Sequence, residues 1–194
     1  MNNNENVTIT TANPAPLGLL GFGMTTILLN LHNVGLYGLN SAIIGMGIFV
    51  GGLAQVIAGV MEFKKNNTFG ATAFTAYGSF WISLVTIWLL PRIAIFADLK
   101  SDLTSMGWYL LVWGIFTNFM FIGTLKMNRA IQIVFGTLTI LFYLLAIRDF
   151  FGSALVGTIA GYIGILCGAS ALYYGMAQVL NEVYGKVVLP VGAK

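Results

Sequence analysis

The charged residues of this chain are confined to a few positions, and the uncharged stretches between them are as long as membrane-spanning helices. Five such stretches hold 56, 26, 23, 18 and 32 residues, and they lie between Glu5 and Glu62, Lys65 and Arg92, Asp102 and Lys126, Arg129 and Arg148, and Asp149 and Glu182. A helix that crosses the hydrocarbon core of a bilayer needs about 17 to 25 apolar residues. Each stretch therefore accommodates at least one spanning helix.

The first stretch is long enough for two helices, and the segment LHNVGLYGLN (31–40) divides it with residues typical of a turn. Composition agrees, because 58% of the residues are hydrophobic and 8% are charged, whereas an average soluble domain is about 25% charged. The sequence therefore predicts an all-α integral membrane protein with six transmembrane helices, near 17–31, 41–62, 70–90, 106–125, 129–147 and 153–180.

An even number of helices places both termini on the same side of the membrane. The loops and tails on that side hold six Lys and Arg residues, and the opposite loops hold three, so the positive-inside rule predicts cytoplasmic termini. We expect a mobile cytoplasmic tail at 1–12, a six-helix transmembrane domain at 13–185 and a short C-terminal tail at 186–194. The first twelve residues lack the features of a cleaved signal peptide, and the short tails favour the cytoplasmic (inner) membrane of a bacterium or archaeon.

Small residues recur on one face of the sixth predicted helix. They follow one another at intervals of three or four, which is the spacing of neighbours on a helix surface: Gly157, Gly161, Gly164, Gly168, Ala171 and Gly175. In lipid, such a stripe allows two helix backbones to pack closely. We therefore predict helix packing here, within a protomer or between protomers, in preference to a ligand site.

Ionisable side chains are absent from the middle of every predicted span. Hydrolytic, metal and nucleophilic chemistry each need a convergent set of such groups, so the sequence argues against an enzyme and predicts no metal and no cofactor. Glu62 and Glu182 lie at helix ends on the side of the termini. They are the candidate proton-coupling groups, although an ordinary interfacial carboxylate is the favoured interpretation of each. The net charge of +3 is spread over helix ends, which gives no support to nucleic-acid binding.

The start of the first helix carries the sequence NPAPLG (13–18). Asn13 is a suitable N-cap, and Pro14 suits the first helical position because its missing N–H would have no partner there. The N–H groups of Ala15 and Leu17 then stay free at the positive end of the helix dipole, where an anion can bind weakly without a basic residue. The alternative is a well-capped helix with no ligand.

The segment NPAPLGLLGF (13–22) resembles the N-terminal signature of the acetate uptake transporter family. The resemblance covers nearly the whole chain apart from the first dozen residues and the loop at 91–105. It continues through GMTTILLNLHNVG (23–35), GGLAQ (51–55), EFKKNNTFG (62–70), FTAYGSFW (74–81), GTLK (123–126), CGASA (167–171) and VLNE (179–182).

Membership of this family implies a hexamer of six-helix protomers, with one pathway through each protomer. The implied substrates are acetate and, more weakly, other small carboxylates such as succinate, and the partners are these acids, protons and the lipid bilayer. The family's pathway contains a hydrophobic constriction of a phenylalanine, a tyrosine and a leucine, which correspond to Phe22, Tyr77 and Leu138 here.

The resemblance assigns three further positions. Ala171 matches a position where the family tunes selectivity, and Asn13 and Gln55 match polar contacts to the substrate. Tyr77 lies opposite a stripe of hydroxyl residues on the third helix, which runs through Thr72, Thr75, Ser79, Ser83 and Thr86. Both faces cannot line one narrow pathway, so we interpret the hydroxyls as interhelical contacts.

A dry constriction leaves the mechanism open between a channel and a proton-coupled carrier. An acetate ion that crosses it loses hydration at considerable cost, whereas neutral acetic acid loses far less. The acid can avoid this cost if it crosses with a proton that it brings itself, or if the constriction is wetted transiently. Two other functions remain open, which are an ammonia or ammonium channel and a non-transporting membrane scaffold or sensor.

Overall fold

The computed structural model describes residues 11–192, and within them six helices are long and apolar enough to cross a membrane. We number them in chain order as α1 (Ala15–Asn33), α2 (Ser41–Lys64), α3 (Thr68–Leu89), α4 (Leu103–Thr124), α5 (Arg129–Phe151) and α6 (Ala154–Tyr184). The prediction of an all-α protein with six transmembrane helices is confirmed. Of the predicted N-terminal tail, residues 1–10 lie outside the described residues.

Polar side chains fix the start of each helix from α2 to α6. In every case an oxygen of the residue before the helix accepts a hydrogen bond from a backbone N–H of the first turn, which has no partner inside the helix. The capping residues are Asn40, Asn67, Asp102, Asn128 and Ser153. Each of these five helices therefore begins at a side-chain cap.

Helix α5 is longer than the sequence predicted. It was expected to end at residue 147, before the charged pair Arg148 and Asp149, but it continues to Phe151. Its end is set by Gly152, which has a left-handed backbone (φ 63°) that suits glycine. The two charges remain within the helix because the Arg148 Nε donates a hydrogen bond to the Asp149 carboxylate at 2.6 Å.

Helices α1 and α6 pack so closely that their backbones meet. A Cβ placed on Gly168 would lie 2.7 Å from the Gly23 carbonyl oxygen, and a Cβ placed on Gly23 would lie 2.7 Å from the Gly168 carbonyl oxygen. The other glycines of the α6 stripe also face packed neighbours: Gly161 faces Val34, Gly164 faces Asn30, Gly175 faces Leu20 and Gly157 faces Arg148 of α5. The stripe therefore joins α6 to α1 and α5 within one protomer.

The middle of α2 is a π-helix, Met46–Ala54, in which the hydrogen bonds span one residue more than in an α-helix. Glycines allow this segment to pack closely against both α1 and α3. A Cβ on Gly51 would lie 2.8 Å from the Thr25 hydroxyl of α1, and one on Gly52 would lie 2.7 Å from the Ile82 side chain of α3. The sequence does not reveal this segment, because its apolar residues leave no periodicity that distinguishes a π turn from an α turn.

The C-terminal segment folds back onto the bundle as far as it is described, to Gly192. The carbonyl oxygens of Val191 and Gly192 accept the N–H groups of Ala130 and Arg129 at 3.0 and 2.9 Å, and so bind the free N-terminus of α5. The Asn181 side chain holds the same segment through the N–H groups of residues 188 and 189 at 2.7 and 2.9 Å.

Candidate functional site

The three residues expected to form the constriction lie around one small space inside the protomer. Phe22 comes from α1, Tyr77 from α3 and Leu138 from α5, and each side chain is at most 5% exposed. The space that they line has a volume of about 20 Å³, whereas a cavity needs about 10–15 Å³ to hold one water molecule. The described conformation is therefore closed at this point to anything much larger than water.

Aromatic rings hold the walls of this space in place. The Tyr77 ring packs against those of Phe22, Phe116 and Phe135, with centroid distances of 6.1, 5.5 and 6.0 Å. Tilted and edge-to-face contacts at these distances are favourable for aromatic side chains. Tyr77 is thus fixed from three helices, since its neighbours belong to α1, α4 and α5.

The Tyr77 hydroxyl is directed away from the constriction and toward α4. It donates a hydrogen bond to the Thr117 hydroxyl at 2.8 Å, and Thr117 in turn donates to the Trp113 carbonyl oxygen at 2.7 Å. The proton of the tyrosine hydroxyl is therefore already engaged in a hydrogen bond within the protein. What Tyr77 presents to the space is its ring.

Gln55 is the polar group of the same space. It lies at the first α-helical residue after the π segment of α2 and is 1% exposed. Its amide oxygen is buried and has no hydrogen-bond partner within residues 11–192. An unpaired buried amide oxygen is costly, and a water molecule or a protonated carboxylic acid in this space would remove that cost by donating a hydrogen bond to it.

A larger cavity of about 120 Å³ continues from the constriction toward the end of the bundle that carries the termini. The two spaces share Leu19, Ala73, Phe74 and Phe135 as walls. We call the larger one the terminal-side vestibule. Its outer part is polar, because Asn67, Tyr174 and Gln178 line it. The vestibule thus lies between the terminal end of the bundle and the closed constriction, and the two spaces are separated only by walls that they share.

Asn13 lies at the mouth of this vestibule in a chain of hydrogen bonds. Its side-chain N–H donates to the side-chain amide oxygen of Gln178 at 2.9 Å, and its oxygen accepts from the Lys65 ammonium at 3.3 Å. The side-chain nitrogen of Gln178 is buried without an acceptor within residues 11–192. A donor of this kind suits a carboxylate oxygen.

The predicted anion site at the start of α1 is only partly formed. The helix begins at Ala15 with Pro14 as the N-cap, one residue later than predicted. The N–H of Ala15 is not free, because it donates to the Asn13 side-chain oxygen at 3.3 Å. The Leu17 side chain is exposed and lies outside the cavities described above. Of the two residues, Ala15 alone lines the vestibule.

The two candidate proton-coupling carboxylates have opposite environments. Glu182 is exposed near the end of α6, as an interfacial carboxylate would be. Glu62 is 1% exposed, so unlike Glu182 it is shielded from solvent by the protein. The Asn67 amide donates to one of its oxygens at 2.7 Å, and its other oxygen is buried without a partner within residues 11–192. Asn67 separates Glu62 from the vestibule.

Ala171 does not line the constriction. It is fully buried in the α1–α6 contact, where a Cβ on Gly23 would lie 3.3 Å from its carbonyl carbon. Gly23 follows Phe22, so a larger residue at 171 would displace the backbone that carries a constriction ring. Any effect of Ala171 on selectivity would therefore act through the position of α1.

The hydroxyl residues of α3 are mostly satisfied within their own helix. Ser79 and Thr86 donate to carbonyl oxygens one turn earlier, at 2.8 and 2.7 Å. Ser83 alone of these five bonds to another helix, through the Tyr109 hydroxyl of α4 at 2.7 Å. The interpretation of the stripe as interhelical contacts is therefore wrong for Ser79 and Thr86, because back-bonding satisfies a helical hydroxyl without a partner helix.

Sequence reasoning overlooked several residues of the site. Thr117 gave no signal, since its role depends on the packing of α4 against Tyr77. Gln178 did carry a signal, because an uncharged amide within a long apolar helix needs a partner, and Gln55 has the same character. Within residues 11–192 no three His, Cys, Asp or Glu side chains come together as metal ligands would.

Comparison with known proteins places the chain among membrane transporters. The model of the GPR1/FUN34/yaaH family matches residues 2–192. The succinate-acetate/proton symporter SatP of Escherichia coli K12 is 58% identical over 181 residues, which are 93% of this chain and 95% of the relative. Ammonia transport outward protein 2 of Saccharomyces cerevisiae is 37% identical over 177 residues, which are 88% of this chain and 62% of the relative.

A solved structure has the same fold. It is described as the bacterial acetate channel SatP and is 57% identical in sequence, with a TM-score of 0.92. The match covers 94% of this chain and all of the solved chain. The two matches differ in mechanism, since the relative is a proton symporter and the solved structure is described as a channel.

Proposed function

Because the chain belongs to the GPR1/FUN34/yaaH family, we propose that it carries acetate and other small carboxylates, including succinate, across the membrane. The observation that carries this proposal is the closed space between Phe22, Tyr77 and Leu138, which continues into the terminal-side vestibule. We assign these three residues as the constriction of the pathway. Gln55, at the same level, is assigned as the polar contact of the carboxylate.

The vestibule suits a weakly held carboxylate. Its outer lining offers amide and hydroxyl groups from Asn67, Tyr174 and Gln178 but no charged side chain, and Lys65 lies at its mouth on Asn13. Neutral donors hold an anion less firmly than a cation does. Weak binding allows the substrate to enter and to leave again, as conduction requires.

The constriction sets the form in which the acid crosses. An apolar space of about 20 Å³ must widen to admit acetate, and a charged acid must lose its hydration there. A protonated acid, whose carboxyl has an ordinary pKa of about 4, avoids most of that cost. Glu62 and Glu182 remain the candidate proton-coupling groups, and the burial of Glu62 beside Asn67 favours it over the exposed Glu182.

We further propose that the protein is a transporter without enzymatic activity, and that it lies in the inner membrane of a bacterium or archaeon. Both termini are proposed to be cytoplasmic, on the side with the larger number of basic residues. The proposed assembly is a homohexamer with one pathway in each protomer. The apolar outer surfaces of the six helices are available for lipid and for neighbouring protomers.

Uptake of labelled acetate into proteoliposomes that contain only this protein tests the proposal. Saturable uptake above protein-free vesicles is expected, and unlabelled acetate or succinate should compete whereas ammonium should not. If ammonium alone lowers the uptake of labelled acetate, the result would identify an ammonium pathway. If neither acetate nor ammonium crosses the membrane, the result would identify a scaffold or sensor. An imposed proton gradient separates the mechanisms, because accumulation above equilibrium requires a coupled carrier, and purely dissipative uptake indicates a channel.

A further inference from the structure

A second cavity lies at the end of the bundle opposite the termini. It has a volume of about 390 Å³ and lies between the turn after α1, the end of α3 and the start of α4. Two basic side chains, Arg92 and Lys100, line it together with the apolar side chains of Trp88 and Met106. Both basic residues belong to the connection between α3 and α4, for which the family resemblance gives no expectation.

The two basic groups have no partner within the part of the chain that the structure describes. Neither Arg92 nor Lys100 forms an ion pair or a hydrogen bond there. The acids of the same connection form no ion pair with either group within residues 11–192. Asp98 is exposed. Asp102 accepts the Ser105 N–H at 2.7 Å as the cap of α4, and the hydrogen bonds from the side chain and the backbone of Ser105 lower the pKa of its carboxyl.

The cavity lies at the end of the helix face that carries the constriction. Tyr77, Trp81, Leu84 and Trp88 follow one another on α3 at intervals of four, three and four residues, so they share one face. Tyr77 lines the constriction, and Trp88 lines the cavity. An anion in the cavity therefore lies on the same face of α3 as the constriction, at the end of the helix away from the termini.

We propose that Arg92 and Lys100 form a capture site for carboxylates at this end of the bundle and that it favours dicarboxylates over monocarboxylates. This inference rests on the proposed transport function. A guanidinium binds a carboxylate through two parallel hydrogen bonds, and an ammonium provides a compact second charge. A dicarboxylate offers one carboxylate to each cation, whereas acetate engages one at a time.

Electrostatics gives this preference a quantitative form. In a given potential, a dianion gains twice the energy of a monoanion, so its local enrichment is the square of the monoanion's enrichment. If removal of both cations lowers the capture of acetate by about threefold, capture of succinate should fall by about ninefold. Both effects should shrink as salt is added, because the charges are exposed to solvent.

The double variant Arg92→Gln/Lys100→Gln tests this site. Initial uptake of labelled acetate and labelled succinate is measured in intact bacterial cells at neutral pH, with each substrate far below its half-saturating concentration. The matched control is Lys64→Gln/Lys126→Gln, which removes two exposed cations at the other end of the bundle. The charge-preserving variant Arg92→Lys/Lys100→Arg should restore most of the succinate uptake.

The expected result is a larger loss for succinate than for acetate in the test variant, and no such difference in the control. Equal losses for the two acids, or a difference of the same size in the control, would overturn the capture site while leaving acetate transport in place. Succinate uptake that stays at the wild-type level in the test variant would overturn it as well. Failure of the wild-type protein to take up either acid would instead overturn the proposed function.

Discussion

Replacing Tyr77 with phenylalanine removes a single hydroxyl that is directed away from the constriction and leaves the ring in place. That hydroxyl donates to Thr117, and Thr117 donates onward to the Trp113 carbonyl oxygen, so Tyr77→Phe leaves no buried donor without a partner. The loss of one neutral hydrogen bond costs about 0.5–1.5 kcal/mol. The ring keeps its contacts with Phe22 and Phe135, and acetate uptake should therefore stay near the wild-type rate.

The companion variant Thr117→Val removes the same hydrogen bond from the other side. It leaves the Tyr77 hydroxyl buried without an acceptor, which costs about 1–3 kcal/mol, so it should destabilise the protein more than Tyr77→Phe does. Thermal unfolding in detergent measures both, since about 1 kcal/mol shifts the midpoint by about 2–4 °C in a domain of this size. The same preparations, reconstituted into proteoliposomes, give the rate of acetate uptake.

Two results would refute this reasoning. Loss of acetate uptake in Tyr77→Phe, with only the small expected shift in unfolding temperature, would mean that the hydroxyl itself takes part in moving the acid or its proton. A smaller destabilisation in Thr117→Val than in Tyr77→Phe would mean that the hydroxyl does not depend on Thr117 as its acceptor. The first outcome would transfer the function of Tyr77 from its ring to its oxygen.

Three further substitutions test other parts of the structure. Gly168→Ala should destabilise the protein by about 1–3 kcal/mol, because the added carbon contacts the Gly23 backbone. Gly45→Ala should be neutral or stabilising, because nothing lies within 4 Å of the added carbon. Thermal unfolding compares the two variants. Asn181→Leu removes the side chain that holds residues 188 and 189. We expect faster hydrogen exchange that is confined to the C-terminal segment and the start of α5. Protection equal to that of the wild type would contradict this. Gln55→Leu removes an unpaired buried amide oxygen, so it should raise the unfolding temperature while lowering acetate uptake, and a parallel fall in both would show that the amide is structural.

The helices could be predicted from the sequence because a bilayer imposes a length on every uncharged stretch. Their ends were less accurate where a charge was taken as a boundary, as at Arg148, since the position of α5's end depends on Gly152 and not on the nearest charge. The π segment of α2 could not be predicted. It is specified by close contacts with α1 and α3 through Gly51 and Gly52, and these contacts exist only in the folded protein.

The candidate site was predicted through the family resemblance and not through periodicity. Phe22, Tyr77 and Leu138 lie far apart in the sequence, and an apolar side chain on a membrane helix carries no local sign that it faces a pathway. The burial of Glu62 was missed for a related reason. Its position at a helix end suggested exposure, but the turn that follows α2 folds Asn67 over its carboxylate.

The central claim is that acetate passes the space between Phe22, Tyr77 and Leu138, and the comparison of Leu138→Ala with Leu141→Ala tests it most directly. Both leucines are buried on α5, so both variants should lose about 2–5 kcal/mol of stability, but only Leu138 lines the constriction. Uptake of labelled acetate and labelled butanoate is measured in proteoliposomes of each variant. The account predicts that Leu138→Ala raises the ratio of butanoate to acetate uptake and that Leu141→Ala leaves it unchanged. The same ratio in both variants, with acetate uptake retained, would contradict it.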